Sequence, residues 1–308
     1  MFGLKKDTSR FDFIYVEPKE IAPNVPMPDT PGELEHYEVH FFGKDDPENP
    51  QNMTAFEKGV LLMAAAYVVM VASWGSAVAA PATSVFQELF HLGLPVATLS
   101  VSLYVVGFAV GPIIFGPMSG VYGRKVPLFI GSFGLMLFMF AAGAAKDWQT
   151  IVLSRFFQGV FGAASITVGP SIPGDAFSSE FRGSSLTIVS FCVIAGPMVA
   201  PIVDAFITQS FLGWRWTMYI TGIMAALACV LVVFVIPETY PKTILQRRAN
   251  RLRTETGNWA LRAPGELETV DFKTLAKNVL LGPAIMLIKE AILGLITLYH
   301  GFIYGILY

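Results

Sequence analysis

The chain is poor in charge. Only 14% of its 308 residues are Asp, Glu, Lys or Arg, against about a quarter in an ordinary soluble domain. Cysteine is nearly absent: Cys192 and Cys229 lie in separate apolar runs without metal-ligand spacing and read as small buried hydrophobes. Histidine is scarce too. His36, His40, His91 and His300 are scattered, and although His36 and His40 are four apart, they sit in a polar tail. No metal and no cofactor is expected. No serine, threonine or cysteine has a base at defined spacing, and no phosphate-binding loop is present, so nothing supports an enzyme. A net charge of −2 gives no basic excess for nucleic acid. The first residues, "MFGLKKDTSRFDF", lack the apolar core of a secretory signal.

What the chain has instead is apolar length. It is 54% hydrophobic, with a mean hydropathy of +0.57. Residues 59–236 carry eleven charges, whereas the first 58 residues carry eighteen, which is a membrane-protein distribution. Runs near the ~20 residues that cross a bilayer core fall at about 59–80, 96–118, 126–145, 150–171, 184–207 and 216–236. A seventh occupies about 284–308. Their length without alternation predicts helices rather than barrel strands. The expected organisation is a disordered tail (1–58), a six-helix transmembrane bundle (59–236), a central loop (237–283) and a seventh span (284–308). The tail is acidic and proline-rich, with twelve carboxylates against six basic residues. In it, Asn52-Met53-Thr54 fits a glycosylation sequon, discounted because the tail reads as cytosolic. The segment "KTILQRRANRLR" spaces apolar and basic residues helically and reads either as an amphipathic helix on the membrane face or as a solvated linker.

Orientation follows the basic residues. The loops after spans two, four and six hold eleven Lys and Arg, and those after spans one, three and five hold two, Lys146 and Arg215. The positive-inside rule then places the N-terminus in the cytosol, which opposes a seven-helix receptor. The last residues, "LYHGFIYGILY", remain apolar with no polar flank; the expectation is a truncated product or a fragment of a longer chain.

Ionisable residues inside spans are costly and mark function. Arg155 lies in "LSRFFQGVFGAAS", with Gln158 beside it and Gly159 and Gly162 on the same helical face. Small residues there let a neighbouring helix approach and point the arginine into the bundle. Asp204 lies in "IAGPMVAPIVDAFI", where Gly196, Ala200 and Asp204 form a second small face. Pro197 and Pro201 remove backbone hydrogen bonds and should loosen this helix. Both ionisable residues belong to the same half of the bundle by depth, and a pair between them would offset part of their burial cost. Trp74 and Tyr104 are candidate cavity residues, with packing or interfacial roles equally open.

Between spans two and three runs "GPMSGVYGRKVP", holding Gly116, Gly123 and the pair Arg124–Lys125. With "DDPENPQN" (45–52), "RFFQGVFGAA" and "GPMVAPIVDAF", and with "GWRW", "PETY" and "RLRTETGN", it resembles the fungal twelve-span drug:proton antiporter branch of the major facilitator superfamily. The resemblance implies an all-α polytopic membrane fold, here one six-helix bundle plus one helix of the second. It implies alternating access, with proton influx driving export of drugs, toxins, secondary metabolites or polyamines across the plasma membrane. Partners would be the bilayer, a small-molecule substrate, protons and a second chain supplying the missing bundle. It also implies an inner gate in which Arg124 pairs with a carboxylate at the end of span four, assigned to Asp175, with Arg182 in the next loop. The gate's usual acidic residue is Gly120 here, and the family's glycines of span five are Ala200 and Asp204. The missing helices, Gly120 and the abrupt apolar end support the alternative, a non-transporting fragment or a half-transporter that needs a partner chain.

Overall fold

The computed structural model describes residues 38–41, 46–264, 266, 287 and 289–307. Most of the expected tail, the second half of the central loop and the beginning of the expected seventh span lie outside them. The described residues form helices with no sheet; their one extended pairing is an isolated parallel bridge between Glu38 and Arg262.

Among the described residues, six helices are long and apolar enough to cross a membrane. They are α1 (Ala55–Ala77), α4 (Leu99–Tyr122), α5 (Lys125–Ala144), α6 (Trp148–Val168), α8 (Ser179–Gln209) and α9 (Trp214–Phe234). Each coincides with an expected span. Short helices α2 (Thr83–Phe90), α3 (Leu94–Ala97) and α7 (Ser171–Ala176) join them, and α10 (Pro241–Thr256) follows.

Helix α1 starts where its sequence says it should. Thr54 Oγ1 accepts from the Glu57 amide at 3.3 Å, and Glu57 accepts from the Thr54 amide at 2.9 Å, a capping box that satisfies two orphan donors. The hydroxyl of the would-be sequon thus serves as a helix cap. Small residues then set the packing. Gly107 of α4 lies against the Val160 and Gly159 backbone of α6, and Gly131 of α5 against Phe161 and Ala164. A Cβ on Gly196 of α8 would fall 2.8 Å from the Trp74 amide nitrogen of α1. Backbones this close gain dispersion contacts that apolar lipid cannot replace. The α8 helix runs unbroken through Pro197 and Pro201, so the loosening they cause stays within a continuous helix.

The bundle has two unlike ends. At one end, α2 closes over an aromatic cluster: the Phe86 ring sits 5.0 Å from that of Trp214 and 5.6 Å from that of Trp148. Arg215 stacks on Trp214 and donates to the Ala145 carbonyl. The other, basic end holds Arg124, Lys125 and α10.

Two sequence expectations need correction at the basic end. Residues 46–58 are not disordered. Asp46 is buried and accepts from Arg248 at 2.7 Å, Glu48 accepts from Arg251 at 2.7 Å, and the turn from Asp46 leads directly into α1. Nor does α10 offer its apolar face to lipid or water. Leu245, Ala249 and Leu252 pack with Val39, Leu261 and Ala263 in a small core of their own. The carboxylates of the segment before α1 supply the ion pairs that a basic helix needs, and the flanking strand-like residues cover its apolar side.

The described residues beyond 267 belong to a second unit. Its described helix, α11 (Ala291–Leu307), has 17 residues and exposes apolar side chains such as Ile292, Leu295 and Leu298.

Candidate functional site

Arg155 is the largest fully buried side chain, with no exposed surface. It does not snorkel to an interface. Its Nε donates to the Ser100 carbonyl at 2.6 Å, Nη1 to the Gly75 carbonyl at 2.9 Å and to Gln158 Oε1 at 2.8 Å, and Nη2 to the Ser76 carbonyl at 3.2 Å. The guanidinium lies 4.6 Å from the Tyr104 ring centroid. Tyr104 in turn donates to the Ala72 carbonyl at 2.7 Å, and Gln158 to the Phe138 carbonyl at 2.8 Å. One arginine therefore ties α1, α4 and α6 together, and its glutamine extends the tie to α5. The room for it comes from glycine: a Cβ on Gly162 would fall 2.8 Å from the Tyr104 hydroxyl, and one on Gly75 would fall 2.7 Å from it.

Tyr104 is thus an internal strut with no exposed surface, not a cavity wall. Trp74 is also buried, and its Nε1 has no hydrogen-bond partner among the described residues.

Asp204 lies on the small face of α8 with Gly196 and Ala200, 1% exposed. The expected contact with Arg155 is not made. The arginine's bonds go to carbonyls and Gln158, and its attraction to Asp204 acts across a gap. The Asp204 Oδ2 atom has no hydrogen-bond partner among the described residues. The physical reason is competition: the carbonyls of Gly75, Ser76 and Ser100 lie within reach of the guanidinium and take its N–H groups.

At the basic end a second network forms around Arg124. Its Nε donates to Asp175 at 3.1 Å, Nη1 donates to Ser119 Oγ at 3.1 Å, and the guanidinium stacks 4.4 Å from the Tyr240 ring centroid. Lys125 Nζ donates to the Val233 carbonyl at 2.9 Å. The sequence reading missed the organising residue, Glu238. It accepts from the amides of Arg124 at 2.8 Å, Lys125 at 3.3 Å and Tyr240 at 3.0 Å. That carboxylate caps α5 and fixes the chain leaving α9 to the turn between α4 and α5. The turn depends on Gly123, whose φ of +88° and ψ of −177° suit glycine almost alone, and any Cβ there would strike the Glu238 carboxylate. The signal was in view as "PETY", quoted without a role.

Arg182 is exposed at the start of α8 and attracts Asp175 without bonding it. Gly116 and Gly120 have open space where a Cβ would stand. Ser119 bonds back to the Gly116 carbonyl. Among the described residues no cluster of His, Cys, Asp and Glu could hold a metal.

The Major Facilitator Superfamily model matches residues 63–308. The chain belongs to the major facilitator superfamily. It is 41% identical over 278 residues to the major facilitator superfamily multidrug transporter FLU1 of Candida albicans, covering 90% of this chain and 46% of that protein. It is 36% identical to the citrinin biosynthesis cluster MFS transporter of Monascus ruber, covering 94% of this chain and 58% of that one. This superfamily chain spans about half the length of the curated relatives it matches. Among solved structures, the inward-open xylose transporter XylE of E. coli superposes with a TM-score of 0.56 at 17% identity, over 75% of this chain and 59% of that one, a likeness of fold. The all-α facilitator fold and the fungal relatives expected from the sequence are both present.

Proposed function

We propose that this chain supplies the first six-helix bundle, and one further helix, of a proton-coupled exporter of small organic molecules working by alternating access. The observation that carries the reading is Arg155, a charge held without solvent at the junction of α1, α4 and α6. A buried charge of this kind is expensive in a membrane and is kept where ions or substrates are handled. Multidrug and biosynthesis-cluster transporters among the relatives favour an organic substrate. In this reading the basic end faces the cytosol at the plasma membrane, and the Arg124–Asp175–Glu238 network steadies the inner gate.

The test is uptake into acid-loaded, inside-out vesicles holding the chain, with a fluorescent organic cation as probe and a proton ionophore as control. Ionophore-sensitive movement, altered in rate by Arg124→Ala, supports the reading; movement that ignores the proton gradient overturns the coupling.

A second reading is a bundle that needs a partner chain. It is favoured by the uncovered apolar face of α8, where Phe191, Ile194, Met198, Ile202 and Phe206 are all exposed. Transport only on co-expression of a second bundle would select it.

A further inference from the structure

We propose that Asp204 is the residue of this bundle that takes up and releases a proton, with Arg155 as the fixed charge that biases its two states. The proposal deepens the exporter reading and concerns the same dry centre.

A carboxylate that stays ionised in an apolar interior is paired or hydrogen-bonded, and one that stays neutral donates its proton to an acceptor. Asp204 does neither. It is 1% exposed, and its Oδ2 meets no partner among the described residues. Such a group is poorly served in both charge states, which is the condition for exchanging between them.

Helix α8 packs against α1, α7 and α9. The ionisable groups of α1 are Glu57 and Lys58 at its basic end and Tyr67, which donates to the Met224 carbonyl. The α7 helix contributes Asp175, held by Arg124, and α9 contributes Arg215, Tyr219 and Cys229. On α8 itself lie Glu180, Arg182 and Cys192. Among the described residues, the charge that acts on Asp204 is Arg155 of α6. An arginine does not give up its proton in a protein, and four of the five Arg155 N–H groups already serve carbonyls and Gln158. Moving it would cut the ties between three helices.

The step is a plain proton transfer. A hydronium ion donates to the Asp204 carboxylate, leaving water and a neutral carboxyl; the reverse step returns the proton to water. When Asp204 is ionised, the remaining Arg155 N–H is a donor toward which it is drawn. When Asp204 is neutral, the attraction ends and the arginine's charge is uncompensated. Pro201, one turn before Asp204, frees a backbone carbonyl in α8 and lowers the cost of that approach. Substrate export and proton uptake are then linked through the charge of one face of α8.

The experiment is a difference-infrared pH titration of the 308-residue chain in lipid nanodiscs, grown with [4-13C]aspartate. The expected result is one protonated-carboxyl band in the position of a dry site, carrying the isotope shift and abolished by Asp204→Asn. With Asp204→Glu the band persists without the isotope shift, so the assignment survives even if the asparagine variant fails to fold. A band unchanged in both variants, or no protonated carboxyl across the pH range in which the chain stays folded, overturns the proposal. The assay is separate from transport. A titrating band in a chain that moves no probe across vesicles upholds Asp204 as a proton site while the exporter reading fails.

Discussion

Arg155 and Arg124 are two answers to one problem, a guanidinium on a mostly apolar chain. Arg155 has no exposed surface and is bonded to neutral groups: three backbone carbonyls and one glutamine. Arg124 keeps 17% of its side chain exposed and is bonded to a carboxylate, with a second carboxylate on its own backbone amide. In the dry centre the charge organises backbone, bridging carbonyls at the end of α1 and at the start of α4. At the wet end the charge organises a turn, and water shares the cost of both partners. The centre is therefore intolerant of losing its arginine, whereas the turn depends more on backbone shape than on any ion pair.

The largest expected effect follows from the centre. Interhelical polar contacts in membranes average about 0.6 kcal/mol and reach about 1.7, so Arg155→Ala, which removes three interhelical carbonyl bonds and the Tyr104 stack, should cost about 2–3 kcal/mol. Thermal unfolding of the purified chain in detergent measures it. Arg155→Lys should recover little, because one ammonium cannot span carbonyls on α1 and α4. Full recovery by lysine would mean that charge alone matters, and the contrast with Arg124 would fall.

The next effect sharpens the other side. If the turn rests on backbone shape, Gly123→Ala should destabilise by about 1–3 kcal/mol through its φ of +88° and through displacement of Glu238 from the Arg124 amide. The same melting experiment, run beside Arg124→Ala, orders the two. A larger loss for Arg124→Ala than for Gly123→Ala would make the ion pair, rather than the turn, the organising element.

How much of this could be read from the chain differs between the same two regions. The spans were legible because twenty apolar residues in a row have one physical solution in lipid, and Arg155 was legible because a charge inside such a run stands out. Its partners were not. Backbone carbonyls leave no trace in residue types, so the sequence suggested Asp204 as the natural counter-ion and carbonyls took the bonds. Glu238 was hidden for the opposite reason: a carboxylate in a polar loop is ordinary until the fold brings it to the α5 amides. The segment from Asp46 looked disordered by composition, yet its acidity is what binds Arg248 and Arg251. Composition reports what a segment cannot bury by itself, not what a distant helix offers it.

The smallest effect lies outside the six long helices, beside α10. Burial alone pushes the Glu266 carboxyl up. Hydrogen bonds from the Arg253 side chain and the Ala263 amide, with the charges of Arg253 and Arg262, outweigh it and hold the group below the ordinary carboxylate value. A carboxylate lowered on folding adds stability that is fully present above its unfolded pKa and is lost as pH falls through the folded one. The brace from Arg253 to Glu266, 2.7 Å at its shortest, should therefore hold at neutral pH and release only as the pH falls below the ordinary carboxylate range. Hydrogen exchange at the Arg253-to-Ala263 amides would register the release as a loss of protection in acid, while the α1–α6 amides stay unchanged. In Glu266→Gln the same amides should lack that acid response, since an amide side chain has no proton to gain. Persistence of the response in this variant would overturn the assignment to Glu266.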